Sequence, residues 1–137
     1  MKQQTDCPFC RIARGEAPAF IVYEDASVMA ILDTRPCTDG HCLIIPRQHT
    51  RQFYELDDDQ LTRLFLAVKL VAGKIKKAFA ADYVCLFSRG GRLAHAHIAL
   101  FPSFEHDEVS GFPQSVVNKA SLSLKEVAEK IRRASCA

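Results

Sequence analysis

The sequence carries almost no excess of charge: 18 Lys and Arg stand against 16 Asp and Glu, a formal net charge of +2. A chain so nearly balanced lacks the electrostatic footprint of a nucleic-acid binder, so no nucleic-acid partner is expected. No run reaches the roughly 18 apolar residues that a membrane span needs, so no membrane partner is expected either. The opening stretch from Met1 to Asp6 is polar and lacks the hydrophobic region of a signal peptide. A cytoplasmic location is the expectation, with the nucleus also open. There is no internal repeat and no low-complexity segment. The chain, 137 residues long, therefore reads as one domain spanning 1–137. What is present is ordinary for a globular protein: 48% apolar and 25% charged residues.

Cysteine is the first unusual feature. There are six: Cys7, Cys10, Cys37, Cys42, Cys85 and Cys136. In a cytoplasmic chain they are not expected to form a disulfide framework. Cys42 and Cys85 fall in apolar runs and read as small core residues. Cys37 and Cys136 receive no role, and neither does His106. Cys7-Pro8-Phe9-Cys10 has three readings. Two thiolates at this spacing can share one zinc ion, which then needs two more ligands from His41, His49, His95, His97 and His106. They can also be unliganded structural thiols. A redox dithiol is the third reading, but that chemistry needs a preceding strand, and the six residues before Cys7 are not strand-like.

Taken in order, residues 7–14 read as a short helix stopped by Gly15 and Pro18. Phe20 to Glu24 and Val28 to Leu32 read as a strand hairpin turning at Asp25-Ala26-Ser27. A loop of turn residues, 33–40, leads to a third strand from His41 to Pro46. Asp57 is the expected N-cap of a long helix whose core stripe is Leu61, Leu64, Phe65, Val68, Val71, Ala72, Ile75 and Phe79. Tyr83 to Phe87 reads as a fourth strand. Ser123-Leu124-Lys125-Glu126 matches a capping box and opens a final helix to about Ala134. Hairpins imply antiparallel pairing, so the fold class is α+β.

The stretch Ala94 to Pro102 alternates. In an extended strand Ala94, Ala96, Ile98 and Leu100 point to an apolar core. His95, His97, Ala99 and Phe101 then point the other way. The two imidazoles would sit roughly 6.6 Å apart, at a rise of about 3.3 Å per residue. Side by side they can act on one substrate, or one can hold a metal while the other reacts. By themselves they are equally consistent with half-exposed histidines on an edge strand.

Several motifs now stand in order: Cys-x-x-Cys, Gly15-Glu16-x-Pro18, Val22-Tyr23-Glu24-Asp25, Ile31-Leu32-Asp33, Gly40-His41-x-Leu43-Ile44-Ile45-Pro46-Arg47-x-His49, and the His-x-His strand. Together they resemble the histidine triad (HIT) family of nucleotide hydrolases and transferases, most closely its small branch with adenosine phosphoramidase-type members. The resemblance covers about 7–102 and leaves 103–137 as a C-terminal extension. It implies an antiparallel sheet continued across a homodimer, with one long and one C-terminal helix. It implies that His97 attacks the α-phosphate of a purine nucleotide, forming a nucleotidyl-histidine intermediate, and that His41 supports it. It implies a structural zinc held by Cys7, Cys10, His49 and His95. It also implies a nucleoside pocket of Phe9, Ile12, Ile31 and Leu32, with Asp33 on the ribose hydroxyls.

The chain departs from the family at the third triad position, which is Ala99. Alanine cannot donate a proton or stabilise charge, and losing one such contact costs a factor of about 10² to 10³ in rate. The loop before the triad, Gly90 to Ala94, is short, and Phe87-Ser88 stands where many members have asparagine. Arg89 or Arg92 can supply phosphate charge instead, and Arg92 is the substrate-binding candidate. The reading is a nucleotide-binding hydrolase or transferase of weak or altered activity. A non-catalytic nucleotide-binding homodimer is the alternative, followed by a thiol redox protein using Cys7 and Cys10.

Overall fold

Five apolar runs pair into one antiparallel sheet in the computed structural model, which describes residues 6–105, 107 and 120–135. β1 (Ile21–Glu24) and β2 (Val28–Leu32) form a hairpin. Its turn is built by Asp25, whose Oδ1 accepts the N–H groups of Ser27 and Val28, each at 2.8 Å. β3 (Cys42–Pro46) pairs with β2, β5 (Ile98–Ser103) with β3, and β4 (Tyr83–Phe87) with β5. The sheet order is therefore β1-β2-β3-β5-β4.

Alternation along these strands sorts the side chains into two layers. Val28, Ala30, Leu32, Cys42, Ile44, Ile98 and Leu100 pack against α2 (Asp58–Ala78) and α3 (Leu124–Arg133). Met29, Ile31 and Ile45 face the other way and pack against α1 (Pro8–Ala13). The site lies on this second, thinner layer.

The long helix starts where expected. Asp57 Oδ1 accepts the Gln60 N–H at 2.8 Å, and Asp58 and Asp59 occupy the positive end of the dipole. Leu64, Val68, Val71 and Ile75 are buried, whereas Phe65 is 36% exposed and lies at the margin of the stripe rather than in the core. The helix stops at Phe79, and Ala80 takes a left-handed φ of 49°. The capping box of α3 is complete, with Ser123 and Glu126 exchanging bonds at 3.2 and 3.3 Å. Cys42 is fully buried, but Cys85 sits on the edge strand β4 and is only half-buried, so it is not a core residue.

The expected histidine strand needs correction. β5 begins at Ile98, so His95 and His97 precede it and do not share one strand face. The Ala96 N–H donates to the Thr50 carbonyl at 2.6 Å, which draws the chain alongside the segment after β3 instead of along β4. The alternation is kept at Ile98 and Leu100, which are buried in the helix layer. Past Phe104, Glu105 and Asp107, the tail expected to be irregular as far as Gln114 lies outside the described residues. So do His106 and Cys136.

Candidate functional site

The first cluster is made by α1. Pro8 suits the first helical position, where no N–H is needed, and Cys7 is the N-cap, its thiol accepting the Cys10 N–H at 3.5 Å. A helix of one and a half turns brings both thiols to its inner side, where they meet two histidines. Cys7 Sγ lies 3.2 Å from His95 Nδ1, and Cys10 Sγ lies 3.3 Å from His49 Nδ1 and 3.5 Å from His95 Nδ1. The four donor atoms lie within 4.8 Å of one another. A tetrahedral metal with bonds of about 2.0 to 2.3 Å sets its ligands about 3.5 Å apart, so this donor set fits one.

The ring of His95 is oriented by a carbonyl. Its Nε2 lies 2.8 Å from the Pro46 oxygen, which can only accept. Nε2 therefore carries the proton and Nδ1 presents its lone pair to the thiols, as a ligand imidazole requires. Burial pushes His95 down to about 4 and also lowers His49, keeping both rings neutral at physiological pH. Both thiols are buried and face imidazoles, which is not the exposed electropositive setting of a redox dithiol.

The second feature is a cleft of about 560 Å³ between α1, β2 and the segment after β4. Its lining is of mixed chemistry. Phe9, Ile12, Ile31, Leu32 and Leu43 are apolar residues of its wall. Ser88, Arg89 and Arg92 also line it, with Asp33, Arg35, His41, His97 and Ala99. Phe9 packs edge-on against both His95 and His97, with ring centres 5.6 Å apart in each case, and so links the two features.

His97 is half-buried in the cleft wall. Its Nδ1 lies 2.9 Å from the carbonyl oxygen of His95, which again can only accept. The proton therefore sits on Nδ1, and Nε2 keeps an unshared pair. Ser88 Oγ donates to the His97 carbonyl at 2.8 Å and fixes the backbone on the other side. In the neutral tautomer so defined the ring is a nucleophile through Nε2.

His41 reaches the same cleft from the start of β3. Gly40 before it has φ +94°, and a Cβ there would come within 2.9 Å of Phe79 and 3.0 Å of Pro102, so glycine is required. The Cys37 N–H donates to His41 Nδ1 at 3.2 Å, leaving the proton on Nε2. That buried Nε2 has no hydrogen-bond partner among the described residues, with Asp33 Oδ2 at 3.7 Å. Burial lowers His41 from its ordinary value, and the Asp33 carboxylate partly opposes this.

The structure thus brings Cys7, Cys10, His49 and His95 into one cluster, and Phe9, Ile12, Ile31, Leu32, Asp33, His41, Arg92 and His97 around one cleft. The contacts of His41 are to Cys37, Asp33 and Phe101. Sequence reasoning missed Leu43, Ser88 and the Pro46 carbonyl. Leu43 was within reach, because its neighbours Cys42 and Ile44 face the helices and it must face the cleft. No local pattern signals Ser88 or Pro46, whose partners are nine and 49 residues away.

The chain is similar to known proteins along most of its length. The family model described as the HIT domain matches residues 14–106, a span that begins after α1. The Arabidopsis thaliana protein named adenylylsulfatase HINT3 is 38% identical over 109 residues, covering 76% of this chain and 55% of that protein. The Schizosaccharomyces pombe protein named adenosine 5'-monophosphoramidase hnt1 is 29% identical over 135 residues, covering 92% of this chain and 98% of that one. A solved structure described as a Zn-bound histidine triad family protein from Mycobacterium smegmatis superposes with a TM-score of 0.80 at 26% identity, covering 93% and 91% of the two chains.

Proposed function

The chain belongs to the HIT family, and on that premise we propose that it binds a purine nucleotide in the cleft and hydrolyses or transfers the nucleotidyl group through His97. The nucleoside lies against Phe9, Ile12, Ile31 and Leu32, with its ribose hydroxyls on Asp33. The observation that carries this reading is the bond from His97 Nδ1 to the His95 carbonyl, which leaves Nε2 as the free nucleophilic atom on a wall of the cleft. Nε2 attacks the α-phosphorus, the bond to the leaving group breaks, and water or another acceptor then cleaves the nucleotidyl-imidazole. His41, whose Nε2–H is unpaired among the described residues, supports the bound nucleotide with a hydrogen bond. Two of the relatives are named for an activity, one adenylylsulfatase and the other adenosine 5'-monophosphoramidase.

The ion fitting two thiolates and two imidazoles is zinc, held by Cys7, Cys10, His49 and His95 in a closed structural set. When bound it supplies a cross-link between α1 and the segment carrying His97, not a reacting water. A homodimer formed along an outer strand of the sheet is part of the proposal. The chain acts as one HIT-like domain in the cytoplasm.

The test is turnover of adenylyl substrates by the parent and by His97→Ala, with mass spectrometry of acid-quenched protein. A covalent AMP adduct is expected in the parent and not in the variant. Turnover that survives in His97→Ala would overturn the role of His97. Ala99 favours one second reading, a non-catalytic nucleotide-binding homodimer, and AMP binding without any turnover in the parent would establish it.

A further inference from the structure

We propose that this site is built for nucleotides whose leaving group departs as an anion of low proton affinity, such as sulfate or a phosphate, and not for phosphoramidates, whose amine must be protonated to leave. The inference rests on the reading of His97 above and concerns the far side of the reacting phosphorus. It comes from the proton donors that the cleft holds and from the charges that stand in their place.

Position 99 follows His97 on the cleft side of the sheet, because the residue between them, Ile98, faces the helices. It is alanine, with neither a proton nor a charge to offer. Among the described residues lining the cleft, the remaining candidates for a general acid are few. Asp33 accepts the Arg35 N–H at 2.8 Å and offers an acceptor. The Ser88 hydroxyl is already donated to the His97 carbonyl. His41 is buried and held neutral, so its Nε2–H can donate a hydrogen bond but not a proton.

Cations are what the cleft does supply. Arg35, Arg89 and Arg92 all line it, and none is in an ion pair among the described residues. Arg89 and Arg92 flank the glycines of the segment that follows β4. Gly90 has φ +72°, and a Cβ on it would run into the Gln52 side chain, so this turn is seated closely on the segment before α2. Guanidinium groups are never acids in this pH range, but they stabilise oxyanions through charge-assisted bonds.

The step balances without an acid. The Nε2 lone pair of His97 forms the N–P bond while the P–O bond to the leaving group breaks, and its electron pair stays on the departing oxygen. Sulfate or phosphate leaves as the anion, met by the arginines. Water then forms a new P–O bond, the P–N pair returns to Nε2, and the proton of the water passes to solvent, giving the nucleoside monophosphate. An amine leaving group would instead need a proton from the cleft, and general-acid assistance of that kind is worth about 10² to 10⁴ in rate.

The experiment compares kcat/KM for three AMP derivatives: the phosphosulfate, the phosphoramidate and the 4-nitrophenyl ester. The phosphosulfate is expected to exceed the phosphoramidate by about 10²-fold or more. In Arg89→Gln/Arg92→Gln, both exposed and expected to fold normally, the phosphosulfate should lose roughly 10- to 100-fold and the 4-nitrophenyl ester, whose leaving group carries less charge, clearly less. Phosphoramidate turnover within tenfold of the phosphosulfate would overturn the inference while leaving the role of His97 intact. Equal losses for both substrates in the arginine variant would overturn it too. No turnover of any derivative, with no AMP binding by calorimetry, would overturn the underlying reading itself.

Discussion

At the scale of single residues, the state of His97 is set by an atom it does not react with. The His95 carbonyl accepts its Nδ1 proton at 2.9 Å, so Nε2 is the basic atom. Removing the ring removes the nucleophile without opening the core, since the side chain is only half-buried. His97→Ala should lose at least about 10³-fold in kcat while AMP affinity and thermal stability stay close to those of the parent, which calorimetry and thermal melts will check. His41 invites a pH measurement. Its folded value is depressed by burial, so the unfolded chain takes up a proton that the folded chain resists. The stability at stake is present above the ordinary histidine value of about 6.5 and is lost as pH falls through it. In His41→Asn the loss between pH 7.5 and 5.5 should be smaller than in the parent, as read by denaturant midpoints; an equal loss would place the titration elsewhere.

At the scale of elements, α1 is too short to stand alone, since isolated helices of this length are unstable in water. It is held by apolar contacts to Met29, Ile31 and Ile45, by Arg47 donating to the Ala13 carbonyl at 3.3 Å, and by the thiol–imidazole cluster. Chelation should therefore lower the melting temperature and expose residues near α1 to proteolysis. At a hundredfold excess of free metal over its Kd the lost stabilisation is about 2.7 kcal/mol. Cys10→Ser should reproduce the effect and be insensitive to chelator. The end of α2 carries a simpler device. Ala80 sits at φ 49°, a conformation glycine adopts without penalty. Ala80→Gly should stabilise by about 0.5 to 1 kcal/mol, a rise of a few degrees in melting temperature.

The same scale explains what could be read in advance. Caps and periodicity are local, so Asp57, Ser123 and the buried stripe of α2 were legible from neighbouring residues alone. The β1–β2 hairpin was legible for the same reason. The path of residues 94–97 was not, because it is fixed by Thr50 and Pro46, more than forty residues earlier. Alternation therefore predicted two imidazoles on one face, whereas His95 turns under α1 and only His97 enters the cleft. Cys85 failed for a related reason: an apolar strand reads alike at the centre and at the edge of a sheet, and only the strand order separates them. The grouping of Cys7, Cys10, His49 and His95 followed from the family resemblance and not from spacing.

At the scale of the whole molecule, the two edges of the sheet are not equivalent. On the β1 side Arg132 of α3 donates to the Ile21 carbonyl at 2.7 Å, so a side chain already occupies part of that edge. On the β4 side Tyr83 is 54% and Leu86 50% exposed. Among the described residues no strand pairs with β4 on its outer side, and a strand edge of this kind beside exposed apolar side chains is a template for pairing with another chain. A second copy related by a twofold axis would place β4 against β4 and continue the sheet antiparallel. Leu86→Lys should then move the mass measured by light scattering from dimer to monomer, with the circular dichroism spectrum unchanged. Arg132→Ala alters the opposite edge and should leave the dimer mass intact. A parent that is monomeric at micromolar concentration, or a Leu86→Lys variant that stays dimeric, would show that this edge is not where two copies meet.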